Sequence, residues 1–395
     1  MLMPWLWLSA LLACYAGLCV SQRDKQRRAI EADFHRRRGP SLASMTLEDA
    51  WKIQKWLAEQ EFPKTLSTGV FFALFKTYGI PSIAKVLTTT GHMTSSFLSL
   101  SRRTADTGQL LNNAIIAPPH SKRSIEAIVR TAWLHRGFRR AGKITNDEML
   151  YTLSLFALEG KRWVAMYEWR SLTDLEVCAI GLFWKQIGKD LDISYADLDV
   201  SDQDTGLGWL RALERWSCAY ENAHMAPHPS NHTLAVATLE LLGAGLPAPA
   251  QRFAGDVFCY LMGPKLRRAM CMPKPSSLTV ALIRGLIRTR KFFIRYLALP
   301  RSPRSSKIYI ASAPLAPHLN RYPALRYRAF PWYIPSTASS RWKAWLRGHP
   351  QPGPEFRDRG YAILELGPDE LQGKGDAEMA DMIRLTRDAR GRGGE

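Results

Sequence analysis

Apolar and polar positions recur at helical intervals along most of the chain. This periodicity predicts helices over residues 48–60, 69–76, 81–88, 94–98, 124–140, 149–169, 174–189, 206–223 and 234–244, followed by a final pair of which the second covers 277–299. Thr145 with Glu148, and Thr173 with Glu176, fit the capping box that marks a helix start. No strands alternate with helices and no internal repeat is visible, so the pattern predicts a mainly α fold.

The first twenty residues carry no charge, and the next eighteen contain seven lysines and arginines. At about 1.5 Å of rise per residue, such a run is long enough to cross a bilayer as a helix. Because the cations follow the run, the positive-inside rule predicts a lumenal N-terminus and a cytosolic body. A cleaved secretory signal is the alternative, although its positive charge normally precedes the apolar stretch.

The remaining chain divides by composition into one large helical globular body and its flanking segments. We expect a transmembrane anchor at 1–21, a basic juxtamembrane linker at 22–45 and the helical body at 46–300. An irregular proline-rich extension at 301–380 is expected to wrap the body, and the polar end at 381–395 to be disordered.

The formal charge of +19 is concentrated in one quarter of the chain. Between Asp256 and Glu355 there is no acidic residue, which indicates an anionic partner such as a membrane surface or nucleic acid. Within 277–299, four cations recur along one helical stripe of an otherwise apolar sequence: Arg284, Arg288, Lys291 and Arg295. This favours a helix at a lipid interface, or alternatively a core helix with a solvated basic edge. No nucleic-acid-binding module is visible, so no nucleic acid is expected.

The motifs of the common hydrolases, nucleotide-binding proteins and zinc proteases are absent from the sequence. Polar residues within apolar helical surroundings form two clusters, at 101–107 and 130–139. In the second, Thr131, His135 and Arg139 share one helical face. An imidazole there can ligate a metal or haem iron while arginines hold anionic groups such as propionates. The alternative is a hydrogen-bonded core histidine with solvated arginines.

Several segments of the sequence are similar to those of a known protein family. The chain resembles the fungal membrane-bound oxygenases of the MpaB type, which are related to the catalytic domain of bacterial rubber oxygenases. The likeness covers most of the predicted cytosolic body and lies in FALFKTYGIP (72–81), RTADT (103–107), Arg130 with WLH (133–135), NDEMLYTLSLF (146–156), RW (162–163), LALP (297–300) and PWY (331–333).

The resemblance implies a helical oxygenase of fungal secondary metabolism at the endoplasmic reticulum membrane. It implies O2-dependent cleavage of a C=C bond in the prenyl chain of a meroterpenoid-like substrate, with a b-type haem iron as cofactor. In the rubber enzymes an arginine is followed one turn later by a threonine, and the iron-ligating histidine lies on the next helix. Arg130 matches the arginine, Leu134 stands in the place of the threonine, and Leu153 or Ser154 stands in that of the histidine.

His135 is therefore the predicted metal ligand or proton-handling group, with His92 as a second candidate. Arg130 and Arg139 are predicted to hold a propionate or a polar intermediate. Arg103, Thr104 and Asp106 are predicted to complete a polar wall above the iron. The expected partners are O2, a lipophilic prenylated small molecule and membrane lipid. Two other functions stay open, namely hydroxylation or another oxidation of a polyketide or terpenoid, and a non-catalytic lipid-binding scaffold.

Overall fold

The computed structural model describes residues 3–89, 91, 96–199, 205–244, 246–315, 320–327 and 329–392. Within these residues the chain is helical and has no β-strand, only an isolated antiparallel bridge between Tyr322 and Tyr361. The mainly α fold predicted from the sequence is confirmed. In chain order the helices are α1 (Met3–Arg23), α2 (Lys25–Arg38), α3 (Leu47–Trp56), α4 (Pro63–Thr77), α5 (Pro81–Thr89), α6 (Phe97–Ile116), α7 (Lys122–Arg140), α8 (Asn146–Tyr167), α9 (Asp174–Asp190), α10 (Gly206–His224), α11 (Pro229–Gly243), α12 (Ala248–Ala269), α13 (Ser277–Tyr296), α14 (Ala338–Leu346) and α15 (Asp376–Arg392).

Capping boxes begin the two central helices α8 and α9. The hydroxyls of Thr145 and Thr173 each accept a hydrogen bond from the backbone N–H three residues later. The carboxylates of Glu148 and Glu176 accept from the N–H groups of the same threonines, at 2.9 and 2.8 Å. Both predicted boxes are confirmed. Each cap contributes about 1 kcal/mol, so the sequence alone fixes where these helices start.

Glycines allow the core helices to approach closely. A Cβ atom added to Gly69 of α4 would lie 3.3 Å from the Cα atom of Gly160 in α8. The approach is closer between α9 and the start of α10, where a Cβ atom on Gly181 would lie 1.9 Å from the carbonyl oxygen of Gly206. Trp209, in the first turn of α10, is fully buried in the main core.

The segment predicted as a juxtamembrane linker contains helix α2 and packs on the body. Phe34 is buried, and Arg37 and Arg38 pair with Asp49 at 2.7 and 2.9 Å. Burial acts to raise the pKa of Asp49, but the two guanidinium groups and hydrogen bonds from Thr46 bring it to about 2. Part of the basic run therefore fastens α2 to the start of α3.

Helix α6 is longer than the sequence indicated. The predicted short helix at 94–98 falls partly outside the described residues, as does His92, whereas α6 continues from Phe97 to Ile116. The hydroxyl of Ser96 caps it by accepting from the N–H of Ser99 at 3.0 Å. The polar cluster at 101–107 therefore lies on a helix, which orders its side chains by helical periodicity.

The C-terminal extension is irregular apart from short turns and α14, and it contributes aromatic side chains to the core. Trp332, Tyr333 and Tyr361 are buried. The indole N–H of Trp332 donates to the hydroxyl of Ser101 on α6 at 2.9 Å. The extension is thus part of the folded body.

Helix α15 occupies most of the segment that the sequence predicted to be disordered. Met379 is buried with Ile125 and Val129 of α7. The guanidinium of Arg390 is buried too, where it pairs with Asp190 at 2.6 Å and donates to the carbonyl of Pro119. Apolar contacts with α7 and the ion pair of Arg390 therefore hold this mainly polar segment on the body.

Helix α1 exposes most of its apolar side chains, with Trp7 and Leu11 two-thirds exposed. Its C-terminal end contacts α13. There Cys19 is buried and Arg23 donates to the carbonyl of Ala298. Among the described residues, no helix taken alone has the length and hydropathy of a membrane span, and α4 with α5 does so only as a pair bent by 89°. The predicted N-terminal transmembrane helix is not confirmed.

Substituting Gly181 by alanine is expected to lower the free energy of unfolding by about 1–3 kcal/mol, because the new methyl group would overlap the carbonyl oxygen of Gly206. Urea denaturation of the purified protein measures the change. Gly137→Ala on α7 is the control, because no atom lies within 4 Å of its added Cβ and alanine favours a helix by about 1 kcal/mol. Equal stability of both variants would contradict the close contact between α9 and α10.

Candidate active site

A cavity of about 580 Å³ lies among α4 to α9, α11 and the chain segment 367–371. This volume is within the range of about 300–1,000 Å³ that is typical of small-molecule sites. Aliphatic and aromatic side chains form most of its wall. The polar side chains that line it are Thr77, Tyr78, Arg103, Thr104, Asp106, Thr107, Thr131, His135, Glu148, Thr152, Thr238 and Glu370.

Four of the predicted site residues line this cavity. Arg103, Thr104 and Asp106 come from α6, and His135 comes from α7. Helices α6 and α7 pack against each other, which brings Arg103 of the first polar cluster near His135 of the second. The hydroxyl of Thr104 donates to the carbonyl of Leu100 at 2.8 Å, which is the usual back-bond of a helical threonine.

His135 is held in one orientation by its own helix. Its Nδ1 atom lies 2.7 Å from the carbonyl oxygen of Thr131. Because a carbonyl only accepts, Nδ1 must carry the proton, and Nε2 of the neutral ring keeps its lone pair. Burial lowers the pKa of His135 most; the Thr131 carbonyl opposes this, and the charges of Arg103 and Arg139 lower it further. The ring is therefore neutral at physiological pH, with one nitrogen free to accept a proton or bind a metal.

Asp106 connects α6 to the C-terminal extension. Its Oδ1 atom accepts from the hydroxyl of Tyr333 at 2.5 Å, and its Oδ2 atom accepts from the N–H of Gly367 at 3.3 Å. Burial raises its pKa to about 6, although Tyr333, Arg102 and the Gly367 N–H all act to lower it. Both oxygens of Asp106 are thus occupied by groups that hold the wall of the cavity together.

Gly367 lets the extension pass close to α7. Its φ of +116° is one that residues with a side chain rarely adopt, and an added Cβ atom would lie 3.2 Å from the side chain of Leu134. The carboxylate of Asp369, two residues later, pairs with Arg102 and Arg357. Segment 367–371 is therefore fixed against α6 and α7, where it closes one side of the cavity.

Arg103 differs from the other arginines of this region. Its guanidinium forms no hydrogen bond and no ion pair with any described residue, although the side chain is partly buried and lines the cavity. Burial lowers the pKa of Arg103, and the partial charges of Tyr78 and Asp106 oppose that change only in part. The cavity therefore contains a cation whose donors have no acceptor in the described part of the chain.

Arg130 and Arg139 do not line the cavity. Arg130 is fully buried behind it and donates to the carbonyls of Leu366 and Leu371 at 2.9 and 3.2 Å. Arg139 donates to the carbonyls of Leu191 and Asp192 at 3.0 and 2.7 Å. The catalytic role predicted for Arg130 and the cofactor-binding role predicted for both stay predictions, and the geometry gives each guanidinium a structural partner instead.

Sequence reasoning missed several residues of the cavity wall. Tyr78 belongs to the matched segment 72–81, but nothing in that pattern indicates that its side chain reaches the same cavity as α6 and α7. Glu148 was recognised only as a helix cap, and its carboxylate does serve that purpose. The 367–371 segment follows Asp106 by more than two hundred and fifty residues, so no local signal links the two.

The described residues contain no group of three or more His, Cys, Asp and Glu side chains that could hold a metal ion. His135 is the histidine among the described lining residues. If a haem iron binds here, His135 would be the residue that holds it, whereas a protein-only iron site requires a larger set of ligands.

Replacing Asp106 by asparagine is expected to flatten the dependence of stability on pH. Between about pH 4 and pH 6 the folded Asp106 keeps a proton that the unfolded chain has lost, so the free energy of unfolding falls as the pH rises. Asparagine does not titrate. The free energy of unfolding of the Asp106→Asn variant should therefore fall by about 2 kcal/mol less over that window than that of the parent chain. Urea denaturation at several pH values measures this, with Asp381→Asn, at the surface, as control. Parallel curves for Asp106→Asn and the parent chain would show that Asp106 has an ordinary pKa.

Comparison with known proteins places the chain among named enzymes. No family model matches it. It is 36% identical over 397 residues to a Penicillium brevicompactum protein named ER-bound oxygenase mpaB', covering 97% of this chain and 93% of that one. The ER-bound oxygenase mpaB of the same fungus is 35% identical over 86% of this chain and 81% of its own length. The ER-bound oxygenase mpaB of Penicillium roqueforti is 37% identical to this chain, and the match covers 66% of this chain and 88% of that protein. This chain therefore belongs to the MpaB-type family of ER-bound oxygenases and is an oxidoreductase.

Proposed function

We propose that this oxygenase uses O2 to cleave a C=C bond in the prenyl chain of a lipophilic, meroterpenoid-like small molecule. In such a cleavage both oxygen atoms of O2 end on the two former alkene carbons, which leaves two carbonyl groups. The names of the relatives support oxygen chemistry at the endoplasmic reticulum. The apolar cavity supports the substrate class, and the resemblance to the MpaB-type oxygenases implies the reaction type.

The apolar cavity is the observation that supports this substrate class. Its aliphatic and aromatic wall offers a prenyl chain contact without requiring hydrogen bonds, and burial of each CH2 group contributes about 0.8 kcal/mol. The polar side chains of α6 and α7 lie along one side of the cavity, including Arg103, Asp106 and His135. A lipophilic ligand would thus place one part of its chain against these polar groups of α6 and α7, and we propose that the reaction takes place there.

His135 is the residue best placed to take part in chemistry. Its free Nε2 lone pair follows from the hydrogen bond of Nδ1 to Thr131, and its lowered pKa keeps that lone pair available at physiological pH. We propose haem b iron as the cofactor, with His135 as the ligand. A metal-binding histidine commonly donates its other ring N–H to a carbonyl, as His135 does. When bound, the iron would activate O2, which does not react readily with an alkene by itself.

The remaining polar residues have positioning roles in this proposal. Asp106 keeps segment 367–371 in place through the N–H of Gly367. Thr104 presents a short polar side chain beside it on α6. Arg130 fixes the same segment from behind through two carbonyls. Together they keep one wall of the cavity closed, which excludes water from the reacting groups.

We also propose that α1 and α13 bind the membrane, with α1 entering the bilayer from the cytosolic side and α13 lying in the cytosolic interface. At about 100° per residue, the exposed apolar residues of α13 fall within about 120° of arc. They are Leu278, Leu282, Leu286, Phe292, Phe293 and Tyr296. The body-facing side of the same helix buries Thr279 and Ile283.

Cations form the strip next to this exposed apolar face. Arg284, Arg288 and Arg295 are exposed, and none of them pairs with an acidic group among the described residues. Apolar side chains toward the acyl chains and cations at headgroup level are the arrangement of an interfacial helix on anionic lipid. The alternative of a core helix with a solvated basic edge does not account for the exposed leucines and phenylalanines.

Replacing His135 by alanine is expected to lower turnover at least about 100-fold and to remove haem absorbance, because the ligand and proton acceptor are lost. Microsomes containing the enzyme would be given a prenylated phenol with and without O2, and the products' carbon counts would separate cleavage from hydroxylation. His232→Ala is the control, since its Nδ1 also contacts a carbonyl, that of Met270, but its ring does not line the cavity. Protein without iron or haem and unchanged activity of His135→Ala would overturn the assignment.

Reversing two charges on α13 is expected to weaken membrane binding. The chain lacking residues 1–22 would be sedimented with vesicles containing phosphatidylserine. Arg284→Glu with Arg288→Glu should bind about tenfold less or weaker still, since each cation contributes about 1 kcal/mol near an anionic surface. Arg140→Glu with Lys143→Glu makes the same change in net charge at an exposed site after α7. Equal loss in both pairs would indicate a general effect of charge and no specific role for α13.

A further inference from the structure

Arg103 lines the cavity and has no acceptor for its guanidinium in the part of the chain that the structure describes. Three other arginines of α6 and α7 all have partners. Arg102 pairs with Asp369. Arg130 donates to the carbonyls of Leu366 and Leu371, and Arg139 donates to those of Leu191 and Asp192. Arg103 has none among the described residues, yet its side chain borders the cavity. A guanidinium removed from water without an acceptor is unfavourable unless a ligand provides one.

The acidic groups around the cavity are engaged elsewhere. Asp106 accepts from Tyr333 and from the N–H of Gly367, and it forms no ion pair with Arg103. Glu148 accepts from the N–H of Thr145. Glu370 also lines the cavity, but its side chain is exposed. None of the three carboxylates forms an ion pair with Arg103, so among the described residues no side chain occupies the position for an anion beside its guanidinium.

Two neutral donors border the same cavity. The hydroxyls of Tyr78 and Thr107 make no hydrogen bond with any described residue. Desolvation of the partly buried Tyr78 side chain raises its pKa to about 12, while the charge of Arg103 acts to lower it. Tyr78 therefore stays protonated and can donate. His135 is neutral, so the site offers one positive charge and two hydroxyl donors, which suits a monoanion better than a diphosphate.

We propose that the cavity binds an amphiphile through a carboxylate that pairs with Arg103, while its apolar remainder occupies the aliphatic wall. The planar guanidinium matches a carboxylate with two parallel hydrogen bonds. This deepens the proposed function, on which it rests, by giving the greasy ligand an acidic end. The carboxylate belongs either to a prenylated acid or to a tetrapyrrole, and the two sources require the same recognition by Arg103.

Equilibrium binding without O2 tests the proposal independently of turnover. The purified full chain would be titrated under argon with farnesoic acid, farnesol and methyl farnesoate, which share one prenyl chain and differ in the end group. A parallel titration compares haem with its dimethyl ester. The acid form should bind at least about tenfold more tightly than its uncharged counterpart in at least one of the two series. Equal affinities within both series would overturn the proposal, even if the enzyme cleaves alkenes.

Variants of Arg103 give the second arm. Arg103→Gln should remove the preference for the acid and leave the affinity for the uncharged partner within about twofold, whereas Arg103→Lys should keep part of the preference. Arg140→Gln, the same change at an exposed arginine without a described partner, should have no effect. Arg103→Gln without ligand should melt no lower than the parent chain, since it removes a buried unpaired charge. A preference that survives in Arg103→Gln would assign the carboxylate to another group.

Discussion

The cavity depends on satisfying the main-chain polar groups of segment 366–371 where it passes against α6 and α7. A buried carbonyl or N–H without a partner costs free energy comparable to a lost hydrogen bond. Arg130 supplies donors to the carbonyls of Leu366 and Leu371, and Asp106 supplies an acceptor for the N–H of Gly367. Without these side chains the segment would be forced toward solvent, and the cavity would lose one wall. Two charged residues in the interior are thus explained by the chain segment that they hold.

This constraint also orders the end of the chain. Arg130 lies over the ring of Trp133 at 4.9 Å, and the indole N–H of Trp133 donates to Glu378 near the start of α15 at 2.9 Å. Further along α15, Met379 and Arg390 are buried against the body. The C-terminal segments therefore contact α7 through one connected set of groups. Because those groups are far apart in sequence, the wall forms only after most of the chain has been made and folded.

Local signals in the sequence predicted the helices well and the long-range contacts poorly. The capping boxes at Thr145 and Thr173 involve groups three residues apart, so they can be read directly from the sequence. Residues 103–106 and His135 were also identified as candidates, because polar side chains in apolar helical surroundings are unusual. Helix α15 was missed, since it is ordered by Arg390 and Met379 through contacts with Asp190 and α7 that no local pattern shows. The ion pairs of Arg37 and Arg38 with Asp49 were missed for the same reason.

The two clusters of arginines show why residue type alone does not define a site. Arg130 matches the arginine expected from the resemblance, but its donors are directed to the carbonyls of Leu366 and Leu371. Arg103 has the same chemistry and free donors, and it borders the cavity from the neighbouring helix. The difference arises from the C-terminal extension, which covers the guanidinium of Arg130 and leaves that of Arg103 accessible to a ligand. In our proposal, a guanidinium without an acceptor among the described residues is available to a ligand. Substrate specificity would then depend on Arg103 of α6 as well as on His135 of α7.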